Sequence, residues 1–139
     1  MTLHTGCPFC EKWNIEPELR IAEFEHSYLM LNRDQFFTGY CFLFAKSHLT
    51  DFASIDGVLQ NGMINEMTRV ALVLQAQFSP AKINYELLGN MAPHIHWHIV
   101  PRFTNDPLWP RPIWCEAHSE QLLSAEEYKS RILSIQQGL

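Results

Sequence analysis

The chain lacks any uninterrupted apolar run near the roughly 20 residues needed to span a bilayer, and residues 1–6 contain no basic segment feeding an apolar one. A transmembrane helix and a secretory leader are therefore not expected, and cytoplasmic residence without a membrane partner is the default. An excess of basic charge is also missing: 10 Lys and Arg against 15 Asp and Glu leave a formal net charge of −5. Such a balance argues against gripping nucleic acid by neutralising many phosphates, so no nucleic-acid partner is expected and any anionic ligand must be met in a local pocket. There is no internal repeat, low-complexity tract, or collagen or coiled-coil pattern. Cysteine is sparse. Cys7 and Cys10 form a C-x-x-C pair, while Cys41 and Cys115 lie far apart beside bulky apolar residues, unlike a secreted disulfide scaffold.

What the chain does have is core material: 47% of its 139 residues are hydrophobic and only 18% are charged, enough for one domain over residues 1–139. Alternation over residues 26–31 and the aromatic run of residues 40–45, which follows Gly39 and exits at His48, predict two neighbouring strands. Between them and the next strands, Ile55, Leu59, Met63, Met67, Val70, Leu74 and Phe78 recur at the spacing of one helix face. Ser54 or Asp56 suits the cap of this long helix and Ser79-Pro80 its end, while Gly57 and Gly62 predict a late start. Two further strands are predicted over residues 83–88 and 94–100, separated by a turn containing Gly89-Asn90. Residues 104–114, with three prolines and two tryptophans, read as irregular but packed; Ser124 with Glu127 marks a capping box opening a terminal helix. Strands in succession with one long and one shorter helix predict an α+β fold on an antiparallel sheet.

The chemistry concentrates in histidines. On a strand, His94, His96 and His98 share one face, with Ile95, Trp97 and Ile99 on the other. Three imidazoles divided by large apolar residues do not fit a merely solvated face. An imidazole serves as nucleophile, base, metal ligand or hydrogen-bond donor depending on which nitrogen is free. The three spread over about 13 Å of strand, which favours a division of labour over one shared metal. Cys7 and Cys10 are equally open between a redox pair, an inert pair and half of a zinc site. Cys41 reads as a small buried apolar residue, and Arg102 as a phosphate contact, a partner contact or an ordinary surface ion pair. Trp97 reads as a core or interface aromatic; Trp109 and Trp114 read as substrate covers, dimer surface or, more simply, core.

The run of residues 94–100, histidines alternating with hydrophobics and closing on two hydrophobics, resembles the signature of the histidine triad (HIT) family. Asn32, Gly39-Tyr40, His48, Asn84, Gly89-Asn90 and Pro101-Arg102 fall in the same order around it, so the likeness covers residues 7–102. Residues 103–139 then form a C-terminal extension and residues 7–10 a zinc knuckle. The resemblance implies a hydrolase of nucleoside 5′-phosphate derivatives, dinucleoside polyphosphates first among them. In that reading His96 is the nucleophile that forms a nucleotidyl intermediate, and His98 contacts phosphate and assists the leaving group. Asn90 contacts phosphate or leaving group, Asn32 lies near the sugar or serves equally as a turn residue, Asn84 joins the substrate site, and residues 24–31 help form the base and ribose pocket. The backbone at His94 helps set the tautomer of His96. A subset of the family joins such a cysteine pair to two histidines, which maps a structural zinc site onto Cys7, Cys10, His48 and His94. Magnesium is a further candidate cofactor alongside a polyphosphate substrate, and a homodimer is implied. Phosphoramidate hydrolysis and nucleotidyl transfer use the same intermediate. A low-turnover nucleotide-binding regulator and a zinc-stabilised interaction module with a relic triad are the non-enzymatic alternatives.

Overall fold

The structure, a computed structural model, describes residues 5–139; residues 1–4, part of the segment in which no secretory leader is expected, lie outside the described residues. In chain order the elements are α1 (Pro8–Ile15), β1 (Arg20–Glu23), β2 (Ser27–Leu31), β3 (Cys41–Ala45), α2 (Gly57–Phe78), β4 (Lys82–Leu87), β5 (His96–Arg102) and α3 (Ala125–Gly138). The strands form one antiparallel sheet in the order β1-β2-β3-β5-β4, so β5 is inserted between β3 and the edge strand β4. This is the α+β arrangement expected from the patterning, with the long helix and the terminal helix both in place.

Side-chain alternation gives the sheet two different faces. Leu29, Leu31, Leu43 and Ile99 enter one core cluster with Val70, Ala71 and Leu74 of α2. Tyr28, Phe42, Phe44, His96 and His98 project to the other face, which α1 covers through Phe9 and Trp13. His96 is therefore roofed by the helix that follows Cys7 and carries Cys10.

The long helix begins at Gly57, not late: the Asp56 carboxylate caps it, accepting from the Leu59 N–H at 2.9 Å, whereas Ser54 belongs to a preceding 3₁₀ turn. Gly62 is there for packing, since a Cβ would fall 2.4 Å from the His26 ring. Ser79 ends the helix in the left-handed region at φ 50°, and Ser124 and Glu127 complete the capping box of α3.

Two elements were not legible. The stretch read as a knuckle is the first turn of α1, with Pro8 at its first position, where the missing N–H costs nothing. β1 is only four residues long and has a register irregularity between Arg20 and Ala22, too short for alternation to declare itself.

Candidate functional site

β5 starts at His96, two residues later than the alternation predicted. His94 and Ile95 lie in the bend before it, where the Ile95 N–H donates to Leu49 O at 2.6 Å and the Ala45 N–H donates to Ile95 O at 3.0 Å. This break in the strand separates His94 from the other two histidines and sends it toward α1. Its Nδ1 lies 3.4 Å from Cys7 Sγ and 3.6 Å from Cys10 Sγ, and His48 Nδ1 lies 3.3 Å from Cys10 Sγ.

The ligand atoms of Cys7, Cys10, His48 and His94 all lie within 4.8 Å of one another. In a tetrahedral zinc site, Zn–S and Zn–N distances place sulfur and nitrogen about 3.5 Å apart along an edge, which is the spacing of these pairs. His94 Nε2 is 2.7 Å from Ala45 O, so the proton sits on Nε2 and the Nδ1 lone pair points at the cluster. The donor set thus fits a closed metal site, two thiols and two imidazoles with an outer hydrogen bond already fixing one ring. Among the described residues no second group of three or more metal-ligating side chains accompanies it, and magnesium finds no support there.

His96 and His98 stay on the strand face and are each only 6% exposed. His96 Nδ1 donates to the carbonyl of His94 at 2.6 Å, which leaves the Nε2 lone pair available. Phe9, the residue between the two cysteines, stacks on its ring with centroids 4.0 Å apart and planes at 19°. His98 Nδ1 is 2.5 Å from the Tyr40 hydroxyl. Burial lowers the affinity of both rings for a proton; for His96 the His94 carbonyl opposes this, and for His98, with the neighbouring His96 also acting, the pKa falls to about 4.

That depression has a testable consequence for stability. The unfolded ring titrates near 6.5 and the folded one near 4, so between these values the unfolded chain binds more protons and acid favours unfolding. Lowering the pH from 7 to 5 is expected to cost on the order of 1–2 kcal/mol through His98. Thermal melts across that range should show the loss in the natural protein and a smaller one in His98→Gln.

Two cavities open on these rings. One of about 540 Å³ is lined by Asn32, Asp34, Tyr40, Phe42, His98 and Trp114 among others. The second, about 320 Å³, is lined by Gly89, Asn90, Met91, His96, His98 and Trp114 with Leu88 and Ala92. His98 and Trp114 belong to both and form their shared wall. The structure thus brings His96, His98, Asn90 and Asn32 around adjoining spaces. Residues 24–31 line neither: Leu29, Met30 and Leu31 are fully buried, and the walls come from residues 37–42 and 113–118 instead.

Asn84 also lines neither cavity. Its amide oxygen accepts from Arg102 Nη1 at 2.9 Å. Arg102 is not a surface residue: its side chain is 1% exposed, Nε donates to Asp106 at 2.7 Å, and the guanidinium lies over Phe37, 5.1 Å from the ring centroid. Arg102→Leu is expected to cost about 3–5 kcal/mol because Asp106, 6% exposed, would keep a buried charge without its partner. Urea denaturation should show a lower midpoint with an unchanged slope.

Trp114 corrects the simpler reading of a core tryptophan. It is 57% exposed, its ring meets His98 edge-on at 5.4 Å, and its indole N–H donates to the Glu86 carboxylate. Phe9, Tyr40 and Glu86 were not picked out as site residues. The signals were present but indirect: Phe9 sits inside the C-x-x-C pair, Tyr40 follows the Gly39 break, and Glu86 pairs with His98 only through the β4–β5 register.

Comparison with known proteins agrees with this geometry. The HIT domain model matches residues 15–105, about two thirds of the chain, with α1's cysteine pair and the tail outside the match. A histidine triad protein of Bradyrhizobium japonicum is 25% identical, with TM-score 0.80 over 90% of this chain and 94% of that one. A zinc-bound histidine triad family protein of Mycobacterium smegmatis shares the fold at 22% identity, TM-score 0.71, covering 95% and 94%. The diadenosine triphosphate hydrolase of Plasmodium falciparum does so at 15% identity and TM-score 0.63, covering 88% and 77%. With the five-stranded sheet and the His96 and His98 strand inside the matched span, the chain belongs to the HIT domain family, which includes nucleotide hydrolases and transferases.

Proposed function

We propose that the protein hydrolyses nucleoside 5′-phosphate derivatives, dinucleoside polyphosphates foremost, through a nucleotidyl group carried on His96. The observation that carries this reading is the His96 Nδ1–H bond to the His94 carbonyl, because it leaves Nε2 as an unprotonated nucleophile in a ring that burial keeps neutral. Nε2 attacks the α-phosphorus, a P–N bond forms, and the P–O bond to the leaving phosphate breaks, the electron pair staying with an oxygen that departs as part of the phosphate anion. Water then attacks the same phosphorus, the P–N bond breaks with its electron pair returning to Nε2, the proton released by the water passes to solvent, the nucleoside monophosphate departs and His96 returns to its neutral state. His98 meets a nonbridging oxygen, and Asn90, exposed at the rim of the smaller cavity, meets the phosphate or its leaving group.

Two adjoining cavities sharing one wall support a substrate with a group on each side of the attacked phosphorus. Asn32 in the larger one serves the sugar. The similarity in fold to a diadenosine triphosphate hydrolase points the same way. Phosphoramidate hydrolysis and nucleotidyl transfer remain the alternatives within one intermediate, separated by leaving group and acceptor.

Zinc is the metal proposed for Cys7, Cys10, His48 and His94, in line with the zinc-bound relative of the same fold. Bound there, it supplies a cross-link and no open coordination position for substrate. A homodimer, for which β4 offers a free sheet edge, and a cytoplasmic location complete the reading that the family resemblance implies.

Chromatography of products from dinucleoside polyphosphates, adenosine phosphoramidate and nucleotide sugars tests the proposal. Turnover of the dinucleoside polyphosphates, with a nucleoside monophosphate released, is the expected result. Turnover of the phosphoramidate alone would transfer the assignment to that class, and stoichiometric binding without turnover would favour the regulatory reading.

A further inference from the structure

His96 and His98 are neighbours on one strand face, yet their Nδ1 atoms meet opposite partners. The partner of His96 is a carbonyl, which can only accept, so the ring must carry its proton on Nδ1. The partner of His98 is the Tyr40 hydroxyl at 2.5 Å, a group able to donate or accept. A phenol is a strong donor and, with its oxygen lone pair drawn into the ring, a weak acceptor, while an imidazole nitrogen lone pair is a strong acceptor.

We propose that Tyr40 is a positioning residue that donates its hydroxyl proton to His98 Nδ1 and so fixes His98 as the Nε2–H tautomer. The two rings then offer complementary nitrogens: a lone pair on His96 Nε2 for phosphorus, and an N–H on His98 Nε2 for a nonbridging oxygen. With the opposite tautomer, His98 would present a lone pair to an anionic oxygen and repel it. This inference rests on the nucleotidyl-transfer reading for its catalytic meaning, although the tautomer itself does not.

Three observations support it. The Tyr40 backbone is held on all sides: its carbonyl accepts from the Asn32 N–H at 2.9 Å and from Gln35 Nε2 at 3.0 Å, and its N–H donates to Phe37 O at 3.2 Å. Gln35, itself 2% exposed, also accepts from the Gly39 N–H at 3.0 Å, and Gly39 takes φ +86°, a left-handed turn that favours glycine immediately before Tyr40. The hydroxyl is thus aimed by a prearranged turn. Second, Tyr40 is 5% exposed, and burial with the Glu86 and Asp34 charges pushes its ionisation well above the ordinary tyrosine value, so the proton to be donated is always present. Third, Glu86, which pairs with His98 across the strands, accepts from the Trp114 indole N–H, and the contact at His98 Nδ1 is the Tyr40 hydroxyl. His98 therefore has a phenol, not a carboxylate, as its partner, and stays neutral.

The test is a long-range nitrogen–proton spectrum of the imidazoles in uniformly ¹⁵N-labelled protein, with the His98 signals assigned by their loss in His98→Gln. The expected pattern for His98 is a protonated Nε2 and an unprotonated, hydrogen-bonded Nδ1. In Tyr40→Phe the two nitrogens should move toward averaged tautomers, with kcat falling about tenfold and KM changing little, the loss of one orienting hydrogen bond. Fluorotyrosine in place of tyrosine keeps the shape, strengthens the donor and should shift His98 Nδ1 even where Tyr40→Phe folds poorly. A protonated Nδ1 on His98 in the natural protein would overturn the proposal, as would a His98 pattern indifferent to both changes. Loss of the His96 mechanism by other experiments would leave the tautomer result standing, so the two failures are distinguishable.

Discussion

His96→Ala is expected to lower kcat by about four orders of magnitude or more on the substrate that the natural protein turns over, while the protein stays folded. The size follows from the role. A nucleophile that carries the transferred group has no substitute once removed, whereas a residue that only donates to phosphate leaves the covalent route intact. His96 is well placed to show this, since its ring is held between the His94 carbonyl and the face of Phe9 and nothing on the strand beside it repeats that arrangement. Product chromatography measures the rate, and an α-³²P-labelled substrate quenched in alkali, which spares a P–N bond, reports the adduct. Label bound to the natural protein and absent from His96→Ala completes the expected result. Equal turnover in both proteins would remove His96 as nucleophile.

Cys10→Ala is expected to lower the melting temperature by on the order of 10 °C or more and to abolish stoichiometric zinc. A metal bound only by the folded chain stabilises by its binding free energy, which already amounts to about 4 kcal/mol at a thousandfold excess over Kd. A metal on the four ligands would tie together residues 7–10, the exit of β3 and the entry to β5, segments that no disulfide joins among the described residues. Because Phe9 lies between the two cysteines and against His96, activity should fall with the metal even though no substrate touches it. Calorimetry and metal analysis decide the point. An unchanged melting temperature in a metal-free Cys10→Ala protein would count against the site.

Periodicity made much of this architecture legible before any coordinates. The α2 stripe from Ile55 to Phe78, the alternation in β2 and β3, the Ser124–Glu127 cap and the histidine alternation are local patterns, and local patterns survive in one dimension. The failures have physical causes too. α1 was hidden because a proline at its first position, with Cys7 at its N-cap and Cys10 in its first turn, masks a helix of only 8 residues. Asn84 entered through the family resemblance, and only the fold shows that its oxygen goes to a buried arginine eighteen positions later. Arg102 itself looks like any charged residue after a proline until the fold closes Asp106 and Phe37 around it.

By itself the sequence determined which face of the last strand would carry imidazoles and that a single antiparallel α+β domain would hold them, while the joining of the cysteine pair to two histidines came from the family resemblance. Tertiary structure alone decided how the three histidines divide. The bend before β5 turns His94 to the cysteines, and the strand proper keeps His96 and His98 for the cavities. It also decided which side chain meets each ring, since Tyr40 reaches His98 across 58 positions and Phe9 stacks on His96 across 87. A side chain's residue type is written in the chain, but the proton on an imidazole is placed by whatever donor or acceptor the fold brings against it.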